Sequence, residues 1–183
     1  MWVGIDGDTC YDVILQTGID VSFDGDPSYT GKLLVIFRAC MQSSHILAWY
    51  EWYPDTARDF KKISIHADDE IRLTVTATSS NSGKAMIENL TTKKHIEKVF
   101  HSQDTPLCQQ NAEWIVEDYQ NDEGEDVPVC NFGKVEFTHA YATTTKHNHR
   151  VTPDGADIIL MRENGQVITS VKENRNGVTI KYL

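Results

Sequence analysis

Two glutamates in residues 111–118 are the side chains of this chain best placed to do chemistry. The segment reads NAEWIVED, lacks proline and glycine, and has the Trp, Ile and Val content that favours a β-strand. Because side chains alternate between the faces of a strand, Glu113 and Glu117 share one face with Ile115. Burying two carboxylates costs stability unless partners or solvent meet them, so the pair is a candidate for acid–base chemistry. A half-solvated strand with its polar face outward fits the same pattern.

A neutral polar side chain in an apolar setting lies far upstream. Gln16 ends the strand-like run of residues 13–16, VILQ. A buried amide must find hydrogen-bond partners, and this one offers two donors and a carbonyl acceptor without ever ionising. Gln16 is therefore a second candidate for chemistry, unless it sits at a strand end and faces solvent.

Length, charge and cysteine usage limit the classes of function. The chain has 183 residues and a formal net charge of -10, which allows one domain and argues against nucleic acid or an anionic membrane as partner. The longest apolar run, residues 33–37, is too short to span a bilayer, and no signal peptide is evident. The four cysteines show no CxxC spacing, and His147 and His149 have no third ligand nearby, so we expect no metal site.

The strand-like segments predict an all-β protein. Apolar and polar residues alternate cleanly over residues 71–78, and a turn is predicted at residues 79–83. Asn164-Gly165 and Asn176-Gly177 each lie between two strand-like runs, which strongly indicates a hairpin turn. The strand-like run before the first pair is the apolar segment of residues 158–161. Many short strands with regular turns are typical of a sandwich or a barrel.

An aromatic segment, residues 48–54 (AWYEWYP), is the third candidate for function. Trp49, Glu51 and Tyr53 would share one strand face, and Tyr50 and Trp52 the other. Aromatic side chains with a polar end suit a cleft for extended or sugar-like ligands, but they suit a plain core equally well. Glu51 and Glu117 could also supply the two carboxyl groups of a glycosidase.

Taken together, these segments resemble the eqolisins, the fungal glutamic peptidases. The resemblance runs from Trp2 to Gly18 and from Ala48 to Leu183, and it weakens after about Phe137. The blocks that carry it, in the family's order, are residues 2–10 (WVGIDGDTC), 14–18 (ILQTG), 48–54 (AWYEWYP), 88–92 (ENLTT) and 111–118 (NAEWIVED).

The resemblance implies a lectin-like (concanavalin A-like) sandwich of two antiparallel sheets and an acid endopeptidase that needs no cofactor. It places the catalytic dyad on Gln16 and Glu117, with Glu113 as the alternative base, and a disulfide between Cys10 and Cys108. It further implies polypeptide substrates, secretion and a monomer. The family's substrate-cleft positions fall on Trp2, Asp6, Trp49, Glu51, Tyr53 and Tyr119.

Three features depart from the family pattern. Members carry further strands before the first block, so we expect N-terminal strands of the sandwich to be missing here. Residues 19–47 do not resemble the family, and we interpret them as an atypical insertion, either a long surface loop or translated intron, within a single domain of residues 1–183. Leu47 stands where an acidic cleft residue is expected. An inactive or truncated homologue and a carbohydrate-binding sandwich are the alternatives to a peptidase.

Overall fold

The computed structural model describes residues 1–23, 30–31, 44–117, 129, 131–144 and 148–183. All of its regular elements are β-strands, which confirms the predicted all-β sandwich. The described residues contain no helix long and apolar enough to span a membrane. Several features singled out in the sequence lie outside the described residues: the apolar run 33–37, Cys40, Tyr119, Cys130 and His147.

The larger sheet has six strands and carries five residues of the predicted site: Trp2, Gln16, Trp49, Glu51 and Tyr53. Its antiparallel order is β5-β4-β2-β1-β9, with β3 paired to β2. The strands are β1 (Trp2–Ile5), β2 (Ile14–Phe23), β3 (Thr30–Gly31), β4 (Ser44–Tyr53), β5 (Arg58–Asp59) and β9 (Ala112–Ile115).

The long hairpin of β2 and β4 forms the centre of this sheet. Ten consecutive residues pair, from Ile14 opposite Tyr53 to Phe23 opposite Ser44. Residues 19–23 and 44–47, the two ends of the predicted insertion, therefore continue regular strands. The origin of the segment between them stays a prediction.

The remaining strands form a second layer and two short hairpins. One three-stranded sheet has the order β6-β7-β8 and another the order β10-β16-β15, while β11 pairs with β12 and β13 with β14. The strands are β6 (Ile71–Ser79), β7 (Ser82–Asn89), β8 (Lys94–Phe100), β10 (Lys134–Thr138), β11 (Ala142–Thr143), β12 (Arg150–Val151), β13 (Arg162–Glu163), β14 (Gln166–Val167), β15 (Thr169–Asn174) and β16 (Gly177–Tyr182).

The turn signals were reliable, but one apolar run was misleading. The hairpins β13–β14 and β15–β16 form at the predicted Asn-Gly pairs, and β6–β7 turns within residues 79–83. The prediction that residues 158–161 flank the first of these turns as a strand is wrong, because β13 begins only at Arg162 and Ile159 is 77% exposed. Apolar content without alternation cannot distinguish a strand from a surface segment.

Alternation decides which face of the larger sheet is buried. Leu15 and Ile19 on β2, and Ala48 and Trp52 on β4, enter the core. The layers meet closely at Gly83 of β7, where an added Cβ would lie 2.7 Å from the Leu15 side chain. Because side chains alternate along a strand, the neighbours of these core residues point to the opposite face of the sheet. Gln16, Glu51 and Glu113 lie on that face.

Asn89 shows that one block shared with the family has a structural role. Its side chain is fully buried, donates 2.7 Å to Asp69 Oδ2 and 3.3 Å to the Ser64 carbonyl, and accepts from the Thr92 N–H at 2.9 Å. Residues 89–91 (NLT) match the sequon for N-glycosylation, but the Asn89 amide nitrogen is hydrogen-bonded inside the fold. A bulky glycan at that atom would require these bonds to break.

Candidate active site

Four strands of the larger sheet place a row of residues side by side on its open face. Glu51 pairs with Gln16, Gln16 with Gly4, and Gly4 with Glu113. Directly opposed residues of antiparallel strands hold their side chains within contact distance of the next strand. Residues separated by up to 109 positions in the chain, Gly4 and Glu113, are thus aligned by strand register alone.

Gln16 and Glu51 are joined by a hydrogen bond. The Gln16 Nε2 amide donates to Glu51 Oε2. The Gln16 side chain is only 8% exposed, and its Oε1 is buried with no hydrogen-bond partner among the described residues. Glu51 therefore fixes which way the amide faces, and it leaves the carbonyl oxygen as an acceptor for a ligand or a water molecule.

The next row brings two tryptophans together over a glycine. Trp49 pairs with Gly18, and Gly18 with Trp2. A Cβ at Gly18 would lie 2.7 Å from both Trp2 Cβ and Trp49 Cζ2, so only glycine allows this approach. Gly4 makes a similar allowance, because a Cβ there would lie 2.7 Å from the Trp2 ring. The two glycines let large aromatic side chains fold down beside Gln16.

Both indole nitrogens are withdrawn from solvent, but only one has a partner within the described residues. Trp49 Nε1 donates to Asp20 Oδ1 at 2.5 Å. Trp2 Nε1 is buried and has no hydrogen-bond partner there. Trp2 is 5% and Trp49 4% exposed, so their rings act as walls of the site and their exposed edges are small.

Glu113 and Glu117, the two glutamates of residues 111–118, differ in their surroundings. Glu113 is half-buried on β9, while Glu117 lies two residues beyond the end of β9. Burial raises the pKa of Glu113 to about 7, assisted by the negative charges of Asp8, Asp6 and Glu117. The backbone N–H of Asp8 donates to the Glu113 carboxylate and opposes this shift. The charge of Glu117 thus acts on Glu113, although the strand predicted over residues 111–118 ends at Ile115.

Asp6 stabilises the turn beside the site. Its side chain is fully buried, and its carboxylate oxygens accept from the backbone N–H groups of Gln109 at 2.9 Å and Gln110 at 2.8 Å. The disulfide Cys10–Cys108, implied by the family resemblance, is confirmed and ties the same two segments. Asp6 therefore connects the turn after β1 to the chain before β9, in addition to its expected place in the substrate cleft.

The structure brings most of the predicted cleft residues together on one face of the larger sheet. Gln16, Glu51, Trp2 and Trp49 lie in adjacent rows of one face, and Tyr53 is 42% exposed at the end of the same face of β4. Tyr119 lies outside the described residues. The site also depends on residues that the sequence reading did not single out: Gly4, Gly18, Asp20 and the Asp8 backbone. A glycine inside a strand pattern is the signal that could have indicated the first two, because it often marks a close approach.

The site offers carboxylates, an amide and indole N–H groups. No group of three potential metal-ligating side chains is found among the described residues. A carboxylate beside a fixed neutral amide can activate water and stabilise a developing negative charge without a metal.

Curated relatives match the chain over its whole length. Aspergillopepsin-2 of Aspergillus niger is 41% identical over 184 residues, and scytalidopepsin B of Scytalidium lignicola is 39% identical over 189 residues. Each alignment covers 100% of this chain but only 58% and 65% of the relatives, so the chain spans roughly six tenths of their length.

Solved structures agree with the fold. The crystal structure of aspergilloglutamic peptidase from Aspergillus niger has a TM-score of 0.85 at 39% identity and covers 100% of this chain and 96% of its own. Scytalido-glutamic peptidase with a peptide-based transition state analog has a TM-score of 0.81 at 39% identity and covers 100% of this chain and 81% of its own. The model of the Peptidase A4 family matches residues 1–182, and the chain therefore belongs to the Peptidase A4, or eqolisin, family.

Proposed function

We propose that this protein is an acid endopeptidase in which Glu117 is the general base and Gln16 stabilises the tetrahedral intermediate. The observation that carries the proposal is the orientation of Gln16: its amide is bonded to Glu51 on the open face, and its Oε1 is left without a partner among the described residues. Membership of a family whose solved relative binds a peptide-based transition state analog supports the same reaction.

The reaction follows from the chemistry of the two side chains. The Glu117 carboxylate takes a proton from a water molecule, whose oxygen attacks the peptide carbonyl carbon. The Gln16 amide accepts from that water through Oε1 and donates its second Nε2 hydrogen to the developing oxyanion. The protonated Glu117 then gives the proton to the leaving amine, which restores the carboxylate.

Glu113 is less suited to be the base. A general base in acid solution must be ionised there, and burial with nearby acids raises the pKa of Glu113 to about 7. Glu113 is therefore protonated under acid conditions, and it is less suited than Glu117 to take a proton from water.

The walls of the site indicate how a polypeptide would be held. Trp2 and Trp49 flank Gln16, and Tyr53 presents an exposed ring at the end of β4. Aromatic walls bury apolar side chains of a substrate, while Glu51 keeps the amide in place. We expect Tyr119 to contribute as well, Asp6 to shape the cleft from its turn, and the protein to work as a secreted monomer without a cofactor.

Digestion of a denatured protein at acid pH tests the proposal. Gln16→Ala removes an oxyanion donor and should lower kcat by about 100-fold to 1000-fold, and Glu117→Gln should abolish cleavage. Glu70→Gln, which changes one exposed glutamate far from the site, is the matched control and should cleave normally. Circular dichroism must show all three variants folded.

Four results would contradict the proposal. Full cleavage by folded Glu117→Gln would remove that residue from the dyad, and loss of cleavage only in a Glu113→Gln variant would move the base to Glu113. A folded chain that cleaves no peptide would be an inactive family member. Glycan cleavage that needs Glu51 and Glu117 would instead support a glycosidase.

A further inference from the structure

Glu113 occupies a position that the proposed dyad does not use. It lies on β9 opposite Gly4, four residues before Glu117. Its Oε2 would lie 3.0 Å from a Cβ at Gly7, and the Asp8 backbone N–H donates to its carboxylate. One side chain therefore joins the strand that leads to Glu117 with the turn that leads to Gln16.

This contact belongs to a set of ties across the same turn. Thr9 Oγ1 donates to Asn111 Oδ1 at 2.7 Å, the Asp6 N–H donates to the Asn111 carbonyl at 3.2 Å, and Cys10 is bonded to Cys108. In each of these contacts, the residue that meets the turn lies in the chain before β9. Glu113 differs because it contacts the turn from within β9, four residues before Glu117.

The charges that act on Glu113 are acidic on each side. Asp6 and Asp8 face it from the β1–β2 turn, and Glu117 faces it from the chain beyond its own strand. Gly4, its neighbour across β1, presents no side chain, and Gln16 beyond Gly4 is neutral. An ionised carboxylate in this position is desolvated and repelled, whereas a neutral carboxyl keeps the hydrogen bond from Asp8 without the repulsion.

We propose that Glu113 is a positioning residue that holds β9 against the β1–β2 turn as a neutral acid, and that its ionisation loosens the proposed dyad and ends activity at the upper side of the pH range. This inference rests on the proposed peptidase function for its activity readout only. The structural part concerns the fold and can be measured without a substrate.

The direction of the pH effect follows from proton linkage. The pKa of Glu113 is raised from 4.5 to about 7 in the folded chain, so between these values the folded state holds a proton that the unfolded state has lost. Stability therefore falls as the pH rises through this window and then levels off above it. Below pH 4.5 the contribution of Glu113 is fully present.

The test compares Glu113→Gln with the wild type and with Glu70→Gln, which removes the same charge from an exposed site. Glutamine keeps the acceptor for the Asp8 N–H but cannot ionise. At pH 4 we expect Glu113→Gln to cleave at a rate within about twofold of wild type, and its loss of activity and of structure at higher pH should begin about one pH unit later. Glu70→Gln should follow the wild type at every pH.

A second variant separates positioning from mere packing. Glu113→Ala lacks the acceptor, so we expect a loss of activity of about tenfold at pH 4, which Glu113→Gln restores. The inference is overturned if Glu113→Gln keeps the wild-type upper pH limit, if it is as inactive as Glu113→Ala at pH 4, or if it is unfolded at pH 4. If the wild type cleaves no peptide, the pH dependence of unfolding alone decides, so this failure is distinct from failure of the proposed function.

Discussion

Asp69 and Glu113 are both acids withdrawn from solvent, but their surroundings move their pKa values in opposite directions. Asp69 is 8% exposed, and the pKa of this carboxyl is lowered chiefly by the backbone N–H of His66, with help from the Asn89 amide. Glu113 has one backbone donor and three acidic neighbours, and burial raises its pKa to about 7. Donors decide the first case, and desolvation with like charges decides the second.

The contrast separates a structural acid from one suited to function. Asn89 is the last residue of β7 and Asp69 lies two residues before β6, and each polar atom named above has its partner there. The face of the larger sheet around Gln16 and Trp2 instead contains buried polar atoms without partners among the described residues. Unpaired polar atoms and raised pKa values occur together at sites that bind and react, and their absence near Asp69 fits a role in folding.

The largest expected effect comes from removing the Asn89 side chain, which is hydrogen-bonded to Asp69. Asn89→Ala removes the hydrogen bonds of Asn89 with Asp69, the Ser64 carbonyl and the Thr92 N–H, and we expect a loss of about 3 kcal/mol in unfolding free energy. Urea denaturation measures it, with the exposed Gln166→Ala as control. Because the cleft is untouched, the folded fraction should retain its activity; a variant that loses activity while fully folded would contradict the division.

The second prediction concerns the packing of the cleft. A Cβ at Gly18 would lie 2.5 Å from the Met1 carbonyl oxygen as well as against both tryptophans, so Gly18→Ala should cost about 1–3 kcal/mol and displace Trp2 or Trp49. Unfolding curves and near-ultraviolet circular dichroism measure the two effects. Thr78→Ala, at an exposed position of β6, should change neither. Unchanged tryptophan signals in Gly18→Ala would show that the rings do not depend on this glycine.

The third prediction uses the sign of the Asp69 shift. Because the pKa of Asp69 is lowered in the folded chain, its contribution is present above its ordinary value of 3.8 and is lost as the pH falls through the folded value. Asp69→Asn should therefore cost about 1 kcal/mol at neutral pH and less in strong acid. Stability measured against pH should show this slope opposite in sign to that of Glu113. Slopes of the same sign for Asp69 and Glu113 would contradict the opposite pKa shifts of the two acids.

The smallest expected effect distinguishes burial from charge repulsion as the cause of the raised pKa of Glu113. Desolvation is the first cause of its raised pKa, and the charges of Asp8, Asp6 and Glu117 come after it. Raising the ionic strength from about 0.02 M to about 0.5 M weakens only the repulsion that raises the pKa of Glu113, so the upper pH limit should shift downward by a few tenths of a unit. In Glu113→Gln the shift should be smaller. A shift of more than one unit would make repulsion, and not burial, the main cause.

Local patterns were enough to predict much of this fold. Alternation placed Gln16 and Glu51 on strands and correctly assigned Trp52 to the face opposite Glu51, and the Asn-Gly pairs placed two hairpins. The family resemblance supplied the Cys10–Cys108 pairing. These features depend on residues near each other in sequence or on motifs that recur.

The features that escaped prediction depend on the register of distant strands. The close approach of Trp2 and Trp49 to Gly18, the hydrogen bond from Trp49 to Asp20 and the raised pKa of Glu113 each require knowing which residues lie opposite. Strand register is set by tertiary packing, and a shift of one residue would reverse every face. The burial of Asp6 against Gln109 and Gln110 was hidden for the same reason.

The ten-residue pairing of β2 with β4 has a consequence for how this family can vary. Gln16 lies seven residues before Phe23, so about 23 Å of paired strand separates it from the end where the connection to β4 begins. Lengthening a connection costs closure entropy only logarithmically, and the paired rows absorb no change in register. This end of the hairpin is thus a natural insertion point, where a lineage can add or exchange sequence, or an engineer can graft a peptide, while Gln16 and Glu51 stay opposite one another.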